Sequence, residues 1–173
     1  MDREVIMWLK AVSLIAIPVV LYSPGAAAQS AAAPPTVTRA AELIARADHA
    51  RTRPTERAEL LEQASALLPD SDPRASGALH AAAQTLYALH QYRRALALLD
   101  CAGDLAFERG SLSEAADIYF EGAFIAREIN AKEEFRHFLD RAFSLTNNSG
   151  LQEQEKQRIK RRIDGIARVR VTE

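Results

Sequence analysis

The sequence predicts an all-α protein built from antiparallel helical hairpins, and three observations carry that expectation. Apolar residues recur every three to four positions through most of the chain, the period of a helix with one buried face. Aromatic residues make up only 6% while alanines are many, which suits closely packed helices better than sheets. Proline and glycine are sparse and cluster between the periodic stretches, where helices stop and start.

The first element is a different kind of segment. Met1 to Lys10 carries Arg3 and Lys10 beside Asp2 and Glu4, and Ala11 to Tyr22 is apolar except for Ser13. Ser23-Pro24-Gly25 and Ala26-Ala27-Ala28 follow. A charged start, an apolar run of about a dozen residues and a small-x-small site describe a secretory signal peptide over residues 1–28, cleaved after Ala28. The run falls short of the roughly 20 residues of a membrane span. Extended back through Val5 it nears that length, with Lys10 in its middle, so an uncleaved anchor is the competing reading. Residues 29–37 read as a disordered leader and 38–168 as the helical domain, followed by a tail at 169–173. The four charges removed with residues 1–28 cancel, leaving the whole-chain net charge of −1 unchanged. No overall field then draws the protein to nucleic acid.

The first helix runs from Thr38 to about Arg51 with Ala40, Ala41, Ile44 and Ala47 as its stripe. Pro54 opens the second, striped by Ala58, Leu61, Ala64 and Leu68. Asp72 caps and Pro73 opens the third, with Ala75, Leu79, Ala82, Leu86 and Leu89 on one face. The fourth starts near Gln91 and places Tyr92, Ala95, Leu99, Ala102 and Ala106 in phase, ending at Arg109-Gly110. Ser111-x-x-Glu114 reads as a capping box before Leu112, Ala115, Tyr119, Gly122 and Ala126. Asn130-x-x-Glu133 starts a sixth helix with Phe135, Phe138, Leu139 and Ala142. Ser149-x-x-Gln152 starts a seventh with Ile159, Ile163 and Ile166. Loops of about two to five residues force neighbouring helices to run antiparallel.

Leu99, Ala102-Gly103 and Ala106-Phe107 in one helix, then Gly110, Leu112, Ala115, Tyr119 and Gly122-Ala123 in the next, resemble a tetratricopeptide repeat over about residues 96–129. The steric logic is that small residues let backbones approach while large ones fill the space beside them. The resemblance implies a short right-handed solenoid of about seven helices. The pattern departs from a strict 34-residue period, and the prolines expected after each unit are absent.

Chemistry-bearing patterns are few. Cys101 is the only cysteine, which excludes an internal disulfide and suggests a semi-buried residue on the fourth helix. Glu134 and His137 have the Glu-x-x-His spacing of di-iron bundles, which need a second such motif and two further glutamates. His49, His80 and His90 share no metal-ligand spacing, and no phosphate-cradling glycine loop occurs. Residues 156–170 hold Lys156, Arg158, Lys160, Arg161, Arg162, Arg168 and Arg170 against Asp164. The plain account is a solvated last helix whose charges complement its dipole; the functional one is contact with anionic lipid or an acidic partner.

Two surface rows suggest a partner-binding face. His80, Gln84, Tyr87 and Gln91 flank the third stripe, and Ser113, Asp117, Phe120, Phe124 and Arg127 flank the fifth. Alternate helices of a hairpin stack line one face, so the rows are expected side by side. The plain alternative packs Phe120 and Phe124 against the sixth helix. The expectation is an exported, periplasmic or secreted adaptor for a protein or peptide, without catalysis or cofactor, with a homodimer through an end helix as a further partner. The alternatives are a small enzyme or metal-binding protein using Glu134 and His137, and a membrane-anchored structural component.

Overall fold

A computed structural model describes residues 34–168 apart from Ala50. The expected signal segment, its cleavage after Ala28, residues 29–33 of the leader and the tail at 169–173 lie outside the described residues. Among the described residues the chain forms seven helices and no strand: α1 Pro35–Ala47, α2 Pro54–Leu67, α3 Pro73–Ala88, α4 Tyr92–Glu108, α5 Leu112–Glu128, α6 Lys132–Leu145 and α7 Glu153–Arg168. Each packs on the next in the chain. The connections run from three residues, as in Leu89–Gln91, to seven in Thr146–Gln152.

Helix starts separate proline from side-chain capping. Pro35, Pro54 and Pro73 each open a helix, where a missing N–H costs nothing. Helix α1 therefore starts three residues before the expected Thr38, inside what reads as leader. Asp72 is a true cap: its carboxylate accepts from the Arg74 backbone N–H at 2.9 Å, with the Arg74 guanidinium on the other oxygen at 2.6 Å. Those donors hold the Asp72 carboxyl below its ordinary range. Ser111 is not a cap, because no backbone N–H bonds to its hydroxyl. Helix α6 begins after Ala131 rather than Asn130, and α7 after Gln152, whose carbonyl accepts from Glu155 and Lys156 at 3.0 Å.

Three helix ends are built alike. His90, Gly110 and Asn130 stand 20 residues apart and all adopt the left-handed conformation, at φ 58°, 81° and 57°. In each case the following N–H returns to a carbonyl inside the helix: Gln91 to Leu86 at 2.9 Å, Ser111 to Ala106 at 2.9 Å, Ala131 to Ala126 at 2.8 Å. This turn reverses the chain in three residues. It sets the antiparallel hairpins.

Buried positions repeat over a longer interval. Ala75, Ser76, Ala78, Ala82, Ala83, Thr85 and Leu86 of α3 recur, 40 positions on, as Ala115, Ala116, Ile118, Gly122, Ala123, Ile125 and Ala126 of α5. Side-chain bonds also skip one helix. Arg94 of α4 reaches Glu62 of α2 at 2.9 Å, and His137 and Arg141 of α6 pair with Asp100 and Asp104 of α4. Helix α3 bonds to α5, and α5 to α7. Thus α2, α4 and α6 form one layer, and α3, α5 and α7 the other.

The contact between layers depends on missing side chains. A Cβ on Gly103 would lie 2.3 Å from the Tyr119 ring, and one on Gly122 would lie 2.5 Å from the Phe138 ring. Each ring rests on bare backbone of the adjacent helix, and both aromatics are almost wholly buried. These two glycines are packing residues inside helices rather than punctuation between them. On α1, Ala40 and Ala47 are buried as expected and Leu43 completes that face, while Ile44 is half-buried and Ala41 is exposed.

Candidate functional site

Because α3 and α5 bury equivalent positions, their flanks also correspond, and a line of polar contacts joins them. Glu114, Glu121 and Glu128 stand seven residues apart on α5, close to two turns each, so they share one edge. Opposite them, the Ser76 hydroxyl donates to Glu114 at 2.9 Å, the His80 Nε2 lies 2.5 Å from Glu121, and the Tyr87 hydroxyl donates to Glu128 at 2.7 Å. The Glu121 carboxylate favours the charged imidazolium and raises the His80 pKa, while partial burial opposes it. Glu128 likewise raises the Tyr87 hydroxyl. Gln84 lies 3.2 Å from the same His80 nitrogen, and Gln91 accepts from Arg94 at 2.9 Å. Of the third-helix row, His80 and Tyr87 contact α5, Gln84 joins them through His80, and Gln91 instead stands at the start of α4.

At one end this line becomes a half-buried brace. The Arg109 guanidinium, only 13% exposed, reaches Glu114 at 2.6 Å, Ser76 at 3.1 Å and the Ser111 hydroxyl at 3.3 Å. Glu114 and Ser111 thus serve the α3/α5 junction instead of a capping box. A Ser-x-x-Glu spacing looks the same in sequence whichever donors the two side chains meet.

The fifth-helix row divides. Ser113 meets Glu155 of α7 at 3.2 Å. Asp117 takes both Arg158, at 3.0 Å, and Arg162, and the Arg162 guanidinium lies over the Phe120 ring at 4.2 Å. Phe120 is 2% exposed. Phe120 is therefore not part of an open surface, because α7 folds back across it, while Asp117 stays exposed with its carboxylate engaged by the α7 arginines. Neither is Phe120 simply a filler against α6. Phe124, one turn further, is 49% exposed with Arg127 stacked over it at 5.2 Å. The open face consists of His80, Gln84 and Tyr87 from α3, Gln91 at the start of α4, and Phe124 and Arg127 from α5. Between them run Glu121 and Glu128, which the sequence reading missed; their heptad spacing with Glu114 was the available signal.

The remaining chemistry-bearing residues are dispersed. His137 bonds to Asp100 at 2.9 Å at a cleft of about 230 Å³ that Glu134 and Arg93 also line. Among the described residues no three His, Cys, Asp or Glu side chains converge as a metal site. Cys101 is exposed rather than semi-buried, since it lies on the α4 face turned away from Leu99 and Ala102. Of the basic residues on α7, Arg158 and Arg162 are engaged by Asp117, while Lys160 and Arg161 are exposed. No helix among the described residues is long and apolar enough to cross a membrane. Neither family models nor curated proteins nor solved structures give a match to this chain.

Proposed function

We propose that this chain is an exported helical-repeat adaptor that binds a protein or peptide segment along the α3/α5 face and catalyses no reaction. The observation that carries the reading is the open face itself. Tyr87, Phe124 and Arg127, large side chains with polar or cationic character, flank a row of carboxylates on two rigid adjacent helices. Aromatic and arginine side chains supply contact area at low entropic cost, and the Glu121 and Glu128 oxygens keep lone pairs for donors from a guest. Residues held on helices rather than loops are preorganised, which lowers the cost of binding.

Export is supported by the charged start, apolar run and small-residue site of residues 1–28. A tetratricopeptide-like right-handed superhelix is the arrangement that best accounts for the alternating layers and the 40-residue recurrence of buried positions. A non-catalytic role is favoured because Glu134 and His137 form a single Glu-x-x-His motif, where a di-iron bundle uses two together with two further glutamates.

The test is crosslinking in the native envelope with identification of what is captured. One partner should be recovered with the wild type and lost with a Tyr87→Ala, Phe124→Ala, Arg127→Ala triple variant that keeps its helical circular dichroism. Unchanged capture by that variant rules this face out. Stoichiometric bound iron or manganese, with activity lost on replacing His137, would establish an enzyme instead. A mature chain beginning at Met1 would replace the cleaved signal with an anchor.

A further inference from the structure

The outer side of α6 keeps apolar side chains that the other described helices leave incompletely covered. Helix α6 buries Phe138, Ala142 and Leu145 against its neighbours, but Phe143 is 50% exposed and Phe135 and Leu139 are only partly covered. With Ile163 of α7, these three side chains floor an open cleft of about 490 Å³, and Lys132, Arg136 and Asp140 also line it. The ion pairs of α6 and α7 use His137, Arg141, Arg158 and Arg162. Lys132, Arg136 and Asp140 have no charged partner among the described residues.

The order of these residues indicates what covers them. Phe135, Leu139 and Phe143 form one ridge at four-residue spacing, with the same residue type at each end and Leu139 at its centre. Lys132, Arg136 and Asp140 form the parallel ridge beside it, cationic at one end and anionic at the other. Rotation by a two-fold axis through Leu139 runs a second α6 antiparallel to the first. Phe135 then faces Phe143 of the other copy, Leu139 faces itself, and flanks of the same side meet. Arg136 of each copy is brought beside Asp140 of the other, twice per pair. A head-to-tail partner would have no reason to show this self-complementarity, whereas an isologous interface requires it.

We propose that the α6/α7 end is a homodimer interface, in which a second copy of this chain closes the Phe135–Leu139–Phe143 cleft through a two-fold axis near Leu139. The inference is independent of the α3/α5 binding face, which lies on different residues and would then be presented twice, once by each copy. A bivalent adaptor gains avidity for a repeated or clustered partner without any new contact.

Sedimentation equilibrium of the purified chain over a range of concentrations is the decisive measurement. The wild type is expected to dimerise, and Phe143→Glu to weaken dimerisation on the order of a hundredfold or more while leaving the circular dichroism spectrum and the melting of the dilute monomer unchanged. Arg136→Asp and Asp140→Arg are each expected to weaken the dimer about tenfold, because each turns two attractions into two repulsions. The double variant carrying both exchanges restores it. A wild type that stays monomeric, a dimer that survives Phe143→Glu, or a double exchange no tighter than the single ones overturns the proposal. Loss of partner capture by the Tyr87/Phe124/Arg127 variant with an intact dimer leaves this interface standing, so the two readings fail separately.

Discussion

Helices α5 and α6 are neighbours of similar length, yet α5 buries ten of its 17 residues and α6 only three of its 14. Helix α5 touches α4, α6 and α7 and bonds across to α3, so apolar or small residues occupy most of its circumference. Helix α6 packs on α5 and loosely on α7 and pairs across to α4, and of its remaining apolar residues Phe135 and Leu139 are partly covered and Phe143 is exposed. An interior helix is shaped by how closely its neighbours must approach. An end helix needs one seam, and what lies off that seam is free to serve association.

The largest test of this contrast is removal of a side chain from the α5/α6 seam. Phe138→Ala is expected to destabilise the fold by about 3–5 kcal/mol, because the ring fills the space over Gly122. Denaturant unfolding measures this directly, and a loss under about 1 kcal/mol would mean that the seam collapses to fill the gap. Next come the glycines. Gly122→Ala should cost about 1–3 kcal/mol, since its Cβ would meet Phe138. Gly165→Ala on α7 should instead stabilise by about 0.5–1 kcal/mol, as nothing lies within 4 Å of its Cβ position. Equal effects at the two sites would erase the distinction between interior and end.

The three left-handed caps give a smaller, graded series. Gly110→Ala is expected to lose about 1–2 kcal/mol, whereas Asn130→Gly should gain a few tenths to about 1 kcal/mol by relieving a non-glycine residue at φ 57°. Thermal melts of the pair decide whether the common turn is under strain.

The His80–Glu121 contact gives a pH signature specific to the interior. Its folded-state pKa is raised, so its stabilisation is complete below the ordinary histidine value and disappears as pH rises through the raised value. The melting difference between wild type and His80→Gln should therefore be greater at about pH 5.5 than at about pH 8.5. A difference independent of pH would show that the imidazolium form is not what the contact favours. At the other extreme, Phe143→Glu should change monomer stability by less than about 0.5 kcal/mol, because half of that ring is already in water.

Much of this architecture is legible in one dimension. Pro54 and Pro73, the Asp72 cap and Gly110 mark helix ends through local backbone chemistry, which needs no distant partner, whereas Pro35 opens α1 inside what reads as leader. The stripes of α2, α4 and α5 are apolar at helical spacing, and the residues read from them are buried, apart from the half-covered Tyr92. Local rules serve well where only one outcome is available to a residue.

Other assignments belong to the packed molecule. Phe120 and Phe124 are one helical turn apart and chemically identical, and only the return of α7 with Arg162 buries one and leaves the other half in solvent. Glu114 is a capping residue by spacing and a brace in fact, because Arg109 and Ser76 arrive from beyond its own helix. Helical periodicity and end chemistry act over a few residues and are written in the chain. Which face is covered, and by which ion pair, depends on contacts between residues some 40 positions apart, and these exist only after the helices have stacked.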